Sequence, residues 1–411
     1  MMNPIITVGI IVVISIVGLY FLYGWFRPRR KSNIKDLYSE GLDMLITGYR
    51  KGAYQNFKTI IRKDTNNVKA YIKLGQVTRE GGNPEQALKI HKSLTLRKKI
   101  SAYEQLELLK NLALDYYELN DLPSAIDQSL KIVNNEKKNE WALSHLIKFY
   151  RENNDWKKAG EYLVKYQKVT ETSDSHKIGL YKIQEGRCSI NDGDFSKARN
   201  LFEEALKIDD KLHIVYYFLG NSYSAESEEV YRQASEIDEK STQTATEKEL
   251  YQDLIGKTKV LLSKCVPHWA RLAELNPEQA WLVIPKLKDA LFALERFHEI
   301  EDVLRQVLRK DPNNINALAS LADFYDHRGD VMEATELIQS ACEKDENSIL
   351  AKLIRFKFKV KREDKRNLSA ELEKIIQSIS SDQNLLRMFY KTSNDLKWLE
   401  ETGKDMEMFS I

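Results

Sequence analysis

Seven histidines, three cysteines and 61 acidic residues are among the groups in this chain able to bind a metal, attack a carbonyl or move a proton. Their spacing organises none of these reactions. His91, His145, His176, His213, His268, His298 and His327 are dispersed, with no H-E-x-x-H or comparable ligand pair. Cys188, Cys265 and Cys342 are isolated, which fits a reducing compartment and argues against a disulfide framework. Cys265-Val-Pro-His268 is half of a metal or haem pattern without its second cysteine, so a helix end is the plainer reading. Neither a phosphate-binding glycine loop nor G-x-S-x-G occurs. The expectation is a non-enzyme with no cofactor. What the chain does offer is cations interleaved with aromatics: Lys69, Gln76 and Arg79, then Lys110 and Tyr117, then Trp141, Lys148 and Arg151. Such a set suits an acidic peptide or protein surface, through charge-assisted hydrogen bonds and stacking. The bland alternative is an ordinary solvated helix face.

The elements that must position these residues repeat. Counting Val68 as position 1, Tyr71 is at 4, Leu74 and Gly75 at 7 and 8, Ala87 at 20 and Leu94 at 27. That ordering is the tetratricopeptide (TPR) pattern, a helix–turn–helix unit of about 34 residues. Small residues at 8 and 20 let the two helices approach, while large apolar positions bury against the neighbouring unit. Gly81, Gly82 and Asn83 break the helix, and Pro84 opens the second half. The same register starts at Ile34, Leu106, Glu140, Gly179, His213, Trp281 and Ile315. In it the first helices present positions 2, 5, 9, 12 and 13 to a ligand, and the docking set above occupies those positions. Residues 224–248 are polar and acidic with little apolar periodicity, and are expected to be an irregular insertion or a degenerate helix or repeat. Repeats are therefore expected over 34–223 and 249–348. C-terminal helices follow over 349–411, where Phe389, Tyr390, Trp398 and Leu399 are expected to cap the last exposed face.

Residues 5–26 hold no charge, enough to span a hydrocarbon core of about 30 Å as a helix. Tyr20, Tyr23 and Trp25 gather at its end, and Arg27, Arg29, Arg30 and Lys31 follow. The basic cluster comes after the apolar run and no cleavage site is visible, which favours an anchor over a signal peptide. The positive-inside rule leaves residues 1–4 outside and everything after the juxtamembrane stretch 27–33 in the cytoplasm. The expected fold is thus all-α: a superhelical TPR solenoid of antiparallel helix pairs, preceded by a single transmembrane helix. Lys+Arg 63 against Asp+Glu 61 gives no support to nucleic-acid binding. Lys352 to Arg366 is locally basic, either a solvated face or a contact with anionic lipid.

Beyond generic spacing, the chain resembles the LapB (YciM) family of lipopolysaccharide assembly proteins. Leu74-Gly75 with Arg79, Ala87 and Ile90-His91 is similar to the family's L-G…R-x-x-G…A-I-x-I-H stretch. Leu112-Ala113-Leu114-Asp115-Tyr116 is similar to its L-A-x-D-Y, and Asp155-Trp156 before Ala159 to its E-W-x-x-A-I. The resemblance implies an adaptor at the bacterial inner membrane that brings the lipid A deacetylase LpxC to the protease FtsH. The family's terminal rubredoxin-like module, built from two C-x-x-C pairs, has no counterpart here, so no metal is carried over. A general assembly or chaperone-like factor for a secretion or envelope complex is the alternative.

Overall fold

The computed structural model describes residues 15–19, 33–97, 99–238, 244–362, 367–380 and 393–402, and every regular element among them is helical. The chain divides into two compact units, residues 1–142 and 143–411. Of the expected anchor, residues 15–19 are described, as exposed helix; the rest of 5–26, the basic residues 27–31, and Phe389 and Tyr390 lie outside the described residues. Among the described residues no helix is long and apolar enough to cross a membrane.

The first unit holds α1 (Ile34–Ile46), α2 (Arg50–Lys63), α3 (Val68–Glu80), α4 (Pro84–Thr95), α5 (Ala102–Glu118) and α6 (Leu122–Asn135). Local sequence sets where several of them begin. The Asn67 side chain accepts from the Ala70 N–H at 3.0 Å and that of Asn83 from Gln86 at 3.1 Å, with Pro84 opening α4. Ser101 and Glu104 form a capping box at the start of α5. Between α3 and α4 the chain reverses through Gly82, whose φ of 85° is open to glycine at little cost.

Helix α3 shows why the hairpins stack. Ala70, Leu74 and Val77 pack with Leu37 of α1 and with Ala53, Phe57 and Ile60 of α2. Val68 and Ile72 turn the other way, onto Leu94, Leu108 and Leu112 of α4 and α5. One helix thus serves two clusters, and each fully buried Leu, Ile or Val contributes roughly 1.5–3 kcal/mol. The small residue at position 8 does what the spacing implies: a Cβ on Gly75 would overlap the buried His91 ring.

The second unit contains most of α7 (Glu140–Glu152), then α8 (Trp156–Val169), α9 (Ser175–Asn191), α10 (Phe195–Ile208), α11 (Val215–Asp238) and α12 (Ala245–Leu275). A 3₁₀ turn (Pro277–Leu282) leads to α13 (Ile284–Ala293), α14 (His298–Lys310), α15 (Ile315–Arg328), α16 (Val331–Lys344), α17 (Ile349–Lys361), α18 (Leu368–Ser380) and α19 (Asn394–Thr402). One hydrophobic cluster runs through this unit from Leu180 to Leu399.

The polar stretch beginning at residue 224 continues α11 as helix to Asp238. Its buried residues Ser227, Val230, Ala234 and Ile237 follow a 3–4–3 spacing, and the Ser227 hydroxyl donates to the Thr258 carbonyl of α12 at 3.2 Å. Small side chains on this stripe let two long helices lie close, so periodicity persists where large apolar residues are few. The partner, α12, is 31 residues long, a single helix at the start of the stretch 249–348 where repeat hairpins were expected. Cys265 and His268 lie inside α12, not at a helix end. Pro267 does not end the helix, which buries Leu261, Cys265, Trp269 and Leu272 along one face.

Two glycines on this hairpin predict substitutions of opposite sign. A Cβ on Gly220 would overlap the indole of Trp269, itself 2% exposed. Gly220→Ala should therefore destabilise the unit by about 1–3 kcal/mol. Gly256 of α12 is exposed and meets nothing within 4 Å. Gly256→Ala should add about 0.5–1 kcal/mol. Urea denaturation of the full chain checks both; a shared direction would contradict the packing described.

Candidate functional site

In the first unit the resembling residues converge on one buried carboxylate. Asp115 of α5 is fully buried. Its Oδ1 accepts from Arg79 Nη1 of α3 at 2.7 Å, and its Oδ2 lies against Nδ1 of the equally buried His91 of α4. His91 Nε2 faces the Ile72 carbonyl at 3.1 Å, and Arg79 also donates to Asn111 Oδ1 at 3.2 Å. Three helices are tied by one network, with Gly75 making room for the imidazole. Its role is structural, since its atoms are closed to solvent.

That geometry decides the fate of Arg79 as a docking residue. Its side chain is 9% exposed and its donors are committed to Asp115 and Asn111, because a buried carboxylate without a cation would be strongly destabilising. The remaining first-unit residues are on the surface or close to it. Lys69 is exposed at the start of α3. Gln76 accepts from Lys73 at 2.8 Å and donates to Glu80 at 2.9 Å. Tyr117 is half-buried. Lys110 pairs with Glu107 at 2.9 Å and stands 5.8 Å from the Trp141 ring centroid. Lys110 and Trp141 line an open cleft of about 610 Å³ with Glu136, Lys137, Lys138, Asn139 and Glu140. The two added lysines escaped the register argument because they precede α7.

In the second unit Lys148 is exposed on α7. Arg151 lies over two indoles, 5.9 Å from Trp156 and 5.7 Å from Trp398. Trp398 belongs to α19, so the far C-terminal helix sits on this face. It does so by built contacts. Gln184 of α9, fully buried, donates from Nε2 to the Leu399 carbonyl at 3.0 Å and to Thr402 Oγ1 at 2.7 Å. Arg187, 5% exposed, donates to the same carbonyl at 3.0 Å and to Gln184 Oε1 at 2.7 Å. Burial pushes the Arg187 guanidinium down to about 10, leaving it charged at neutral pH. Leu396 and Leu399 are fully buried, and Trp398 meets Trp156 edge to face and Tyr181 at a tilt, with centroids 5.9 and 5.5 Å away. Trp398 and Leu399 thus bind helices some two hundred residues upstream, where an end cap was expected. The physical reason is the buried donor pair on α9, whose hydrogen bonds are taken up by the Leu399 carbonyl in the last turn of α19.

Arg187 was within reach of sequence reasoning: in the unit starting at Gly179 it occupies position 9, a ligand-facing place. Gln184 at position 6 was not.

No group of three or more His, Cys, Asp or Glu is placed to hold a metal among the described residues. Burial raises the Cys265 thiol to about 12, and its Sγ–H donates to the Leu261 carbonyl at 3.5 Å, so it is an inert core group.

His176 supplies a titratable contact for α19. Its Nε2 meets Asp395 at 2.8 Å and its Nδ1 meets Asp209 at 2.7 Å. Partial burial pulls its pKa down, but the bonds and charges of Asp395 and Asp209 outweigh that and hold it above the ordinary 6.5. Because the docked state raises the pKa, this contribution is complete below 6.5 and is lost as pH rises through the raised value. Hydrogen exchange over 394–402 should accelerate across that window beyond its intrinsic pH dependence. His176→Gln should remove the excess; an unchanged profile in the variant would rule His176 out as its source.

Comparison with known proteins places these observations. The tetratricopeptide-repeat family model matches residues 303–336, within α14 to α16. Lipopolysaccharide assembly protein B of Escherichia coli K12 is 22% identical over 261 residues, covering 61% of this chain and 65% of that protein. The match thus spans just under two thirds of the length of the curated relative. The Haemophilus influenzae protein of the same name is 25% identical over 164 residues, covering 36% of this chain and 41% of its own. Among solved structures, the C-terminal part of a TPR repeat-containing protein from Cytophaga hutchinsonii is 15% identical, with a TM-score of 0.36, covering 69% of this chain and 99% of that one.

Proposed function

We propose, from the premise that the chain is a LapB/YciM-like tetratricopeptide-repeat protein, that it is a non-enzymatic adaptor in lipopolysaccharide assembly, tethered to the cytoplasmic face of a bacterial inner membrane. The observation that carries this reading is the similarity over 261 residues. It is strengthened by the way Gly75, Arg79, His91 and Asp115, residues of the resembling motifs, meet in one network. The uncharged stretch 5–26 followed by Arg27 and Arg29 supports the tether. The mechanism is docking: first-helix faces hold a client while the tether confines the pair to two dimensions, raising its effective concentration near a membrane enzyme. By the resemblance, the client is the deacetylase LpxC and the enzyme the protease FtsH.

Two measurements test the reading. Depletion should raise the cellular level of the deacetylase; an unchanged level rejects the lipopolysaccharide role. Charge reversal at Lys110, which lines the cleft, and at Lys148, exposed on α7, should lower capture of that client by roughly ten-fold. Asp115→Ala is the structural control. It should cost about 3 kcal/mol of stability, because it strands the Arg79 cation. Lys69→Ala should change stability by less than about 0.5 kcal/mol. Equal stability losses for Asp115→Ala and Lys69→Ala in thermal unfolding would refute the assignment of the network.

A further inference from the structure

Helix α19 is nine residues long, and the way it is held differs from core packing. A helix retained for its apolar face alone needs no buried donors beneath its end. Here Gln184 and Arg187 are buried, and both donate to one main-chain carbonyl, Leu399 O, in the last turn of α19. The Arg187 cation sits at the negative end of the helix dipole. Gln184 adds a bond to Thr402 Oγ1, which itself donates to the Trp398 carbonyl at 2.6 Å. At the other end Asp395, in the first turn, meets His176. Between them Leu396, Trp398 and Leu399 fill an apolar floor that includes Trp156 and Tyr181, with Arg151 over the Trp398 ring. The bonds from Gln184 and Arg187 to Leu399 O are ones that a helix from another protein can accept, since the main-chain acceptor is generic.

We propose that this face of α7, α8 and α9 is a helix-recognition site, that α19 is its resident ligand, and that a short amphipathic helix of a partner protein competes with α19 for it. The partner helix carries an acid in its first turn and a Leu-x-Trp-Leu-like apolar stripe, and ends within a turn of it. This names the kind of client segment an adaptor would take. It rests on the adaptor reading only in that the client is a protein. Lipopolysaccharide enters nowhere in the test, so the two can fail separately.

The test uses the full chain and a fluorescent, end-blocked peptide with the sequence of residues 393–402. In the wild type α19 competes in cis at high effective concentration, so the added peptide binds weakly. Leu396→Asp with Leu399→Asp unseats α19, and the peptide should then bind at least about ten-fold more tightly, as expected when the competent state becomes the major one. Adding Gln184→Leu and Arg187→Leu should abolish that gain, and a scrambled peptide should not bind. Equal affinity for the wild type and the unseated chain overturns the proposal. So does an unseated chain that loses its cooperative unfolding transition by circular dichroism and does not recover it with peptide, because α19 is then part of the core.

Discussion

A helix hairpin of this kind has two apolar faces and can cover only one of them with its own second helix. Everything else in the chain answers that constraint. In α3 the two faces are visible separately, Ala70, Leu74 and Val77 on one cluster and Val68 and Ile72 on another. Each hairpin is therefore stable only with a neighbour, and the array continues until something other than another repeat covers it. Glycine or alanine at the closest approach is the geometric consequence, since interaxial distance falls only where a side chain is nearly absent.

Polar groups inside such a stack have to be satisfied in place, and the chain does this at two sites with different outcomes. Around Asp115 the partners all come from adjacent helices, so the network closes on itself and fixes the relation of α3, α4 and α5. Around Gln184 and Arg187 the acceptor comes from 215 and 212 residues away along the chain. The first network is complete when the neighbouring repeat folds. The second is complete only when a separate helix arrives. A buried arginine lacking an acceptor is costly, so the α9 face is built around the presence of a helix end there.

This contrast explains what could be read from the sequence. The repeats were legible because close packing constrains residue size at fixed intervals, and Leu74, Gly75, Ala87 and Leu94 carry that constraint in their identities. The capping residues Asn67, Asn83 and Ser101 were equally local signals. Arg79 was misplaced among ligand-facing residues because register assigns a face, and the burial of a partner 36 residues away, Asp115, is not encoded in register. The continuation of α11 through Ser227, Val230, Ala234 and Ile237 was obscured because a seam half made of small side chains carries little hydrophobic signal while packing well. The seat of α19 was out of reach for a further reason: its decisive acceptor is a main-chain carbonyl, which every residue possesses.

That last point bears on how selective such a face can be. Donors aimed at a carbonyl orient a helix and mark where it ends, but they do not distinguish one sequence from another. Identity then falls to the side chains flanking that carbonyl. Trp398 fills a space bounded by Trp156, Tyr181 and Arg151, where ring geometry and a cation both favour an aromatic group. Asp395 fixes the register by meeting His176, which is already engaged by Asp209, so a neutral residue at that place would leave the imidazolium with one carboxylate in place of two. Orientation is thus set by the backbone, register by one acid and identity by one aromatic. A division of this kind tolerates variation at Lys397, which is exposed on α19, better than at Glu400, whose charge acts on Arg187. Selectivity here comes from a few placed groups, and the generic part of the recognition is what holds any suitable helix long enough for those groups to act.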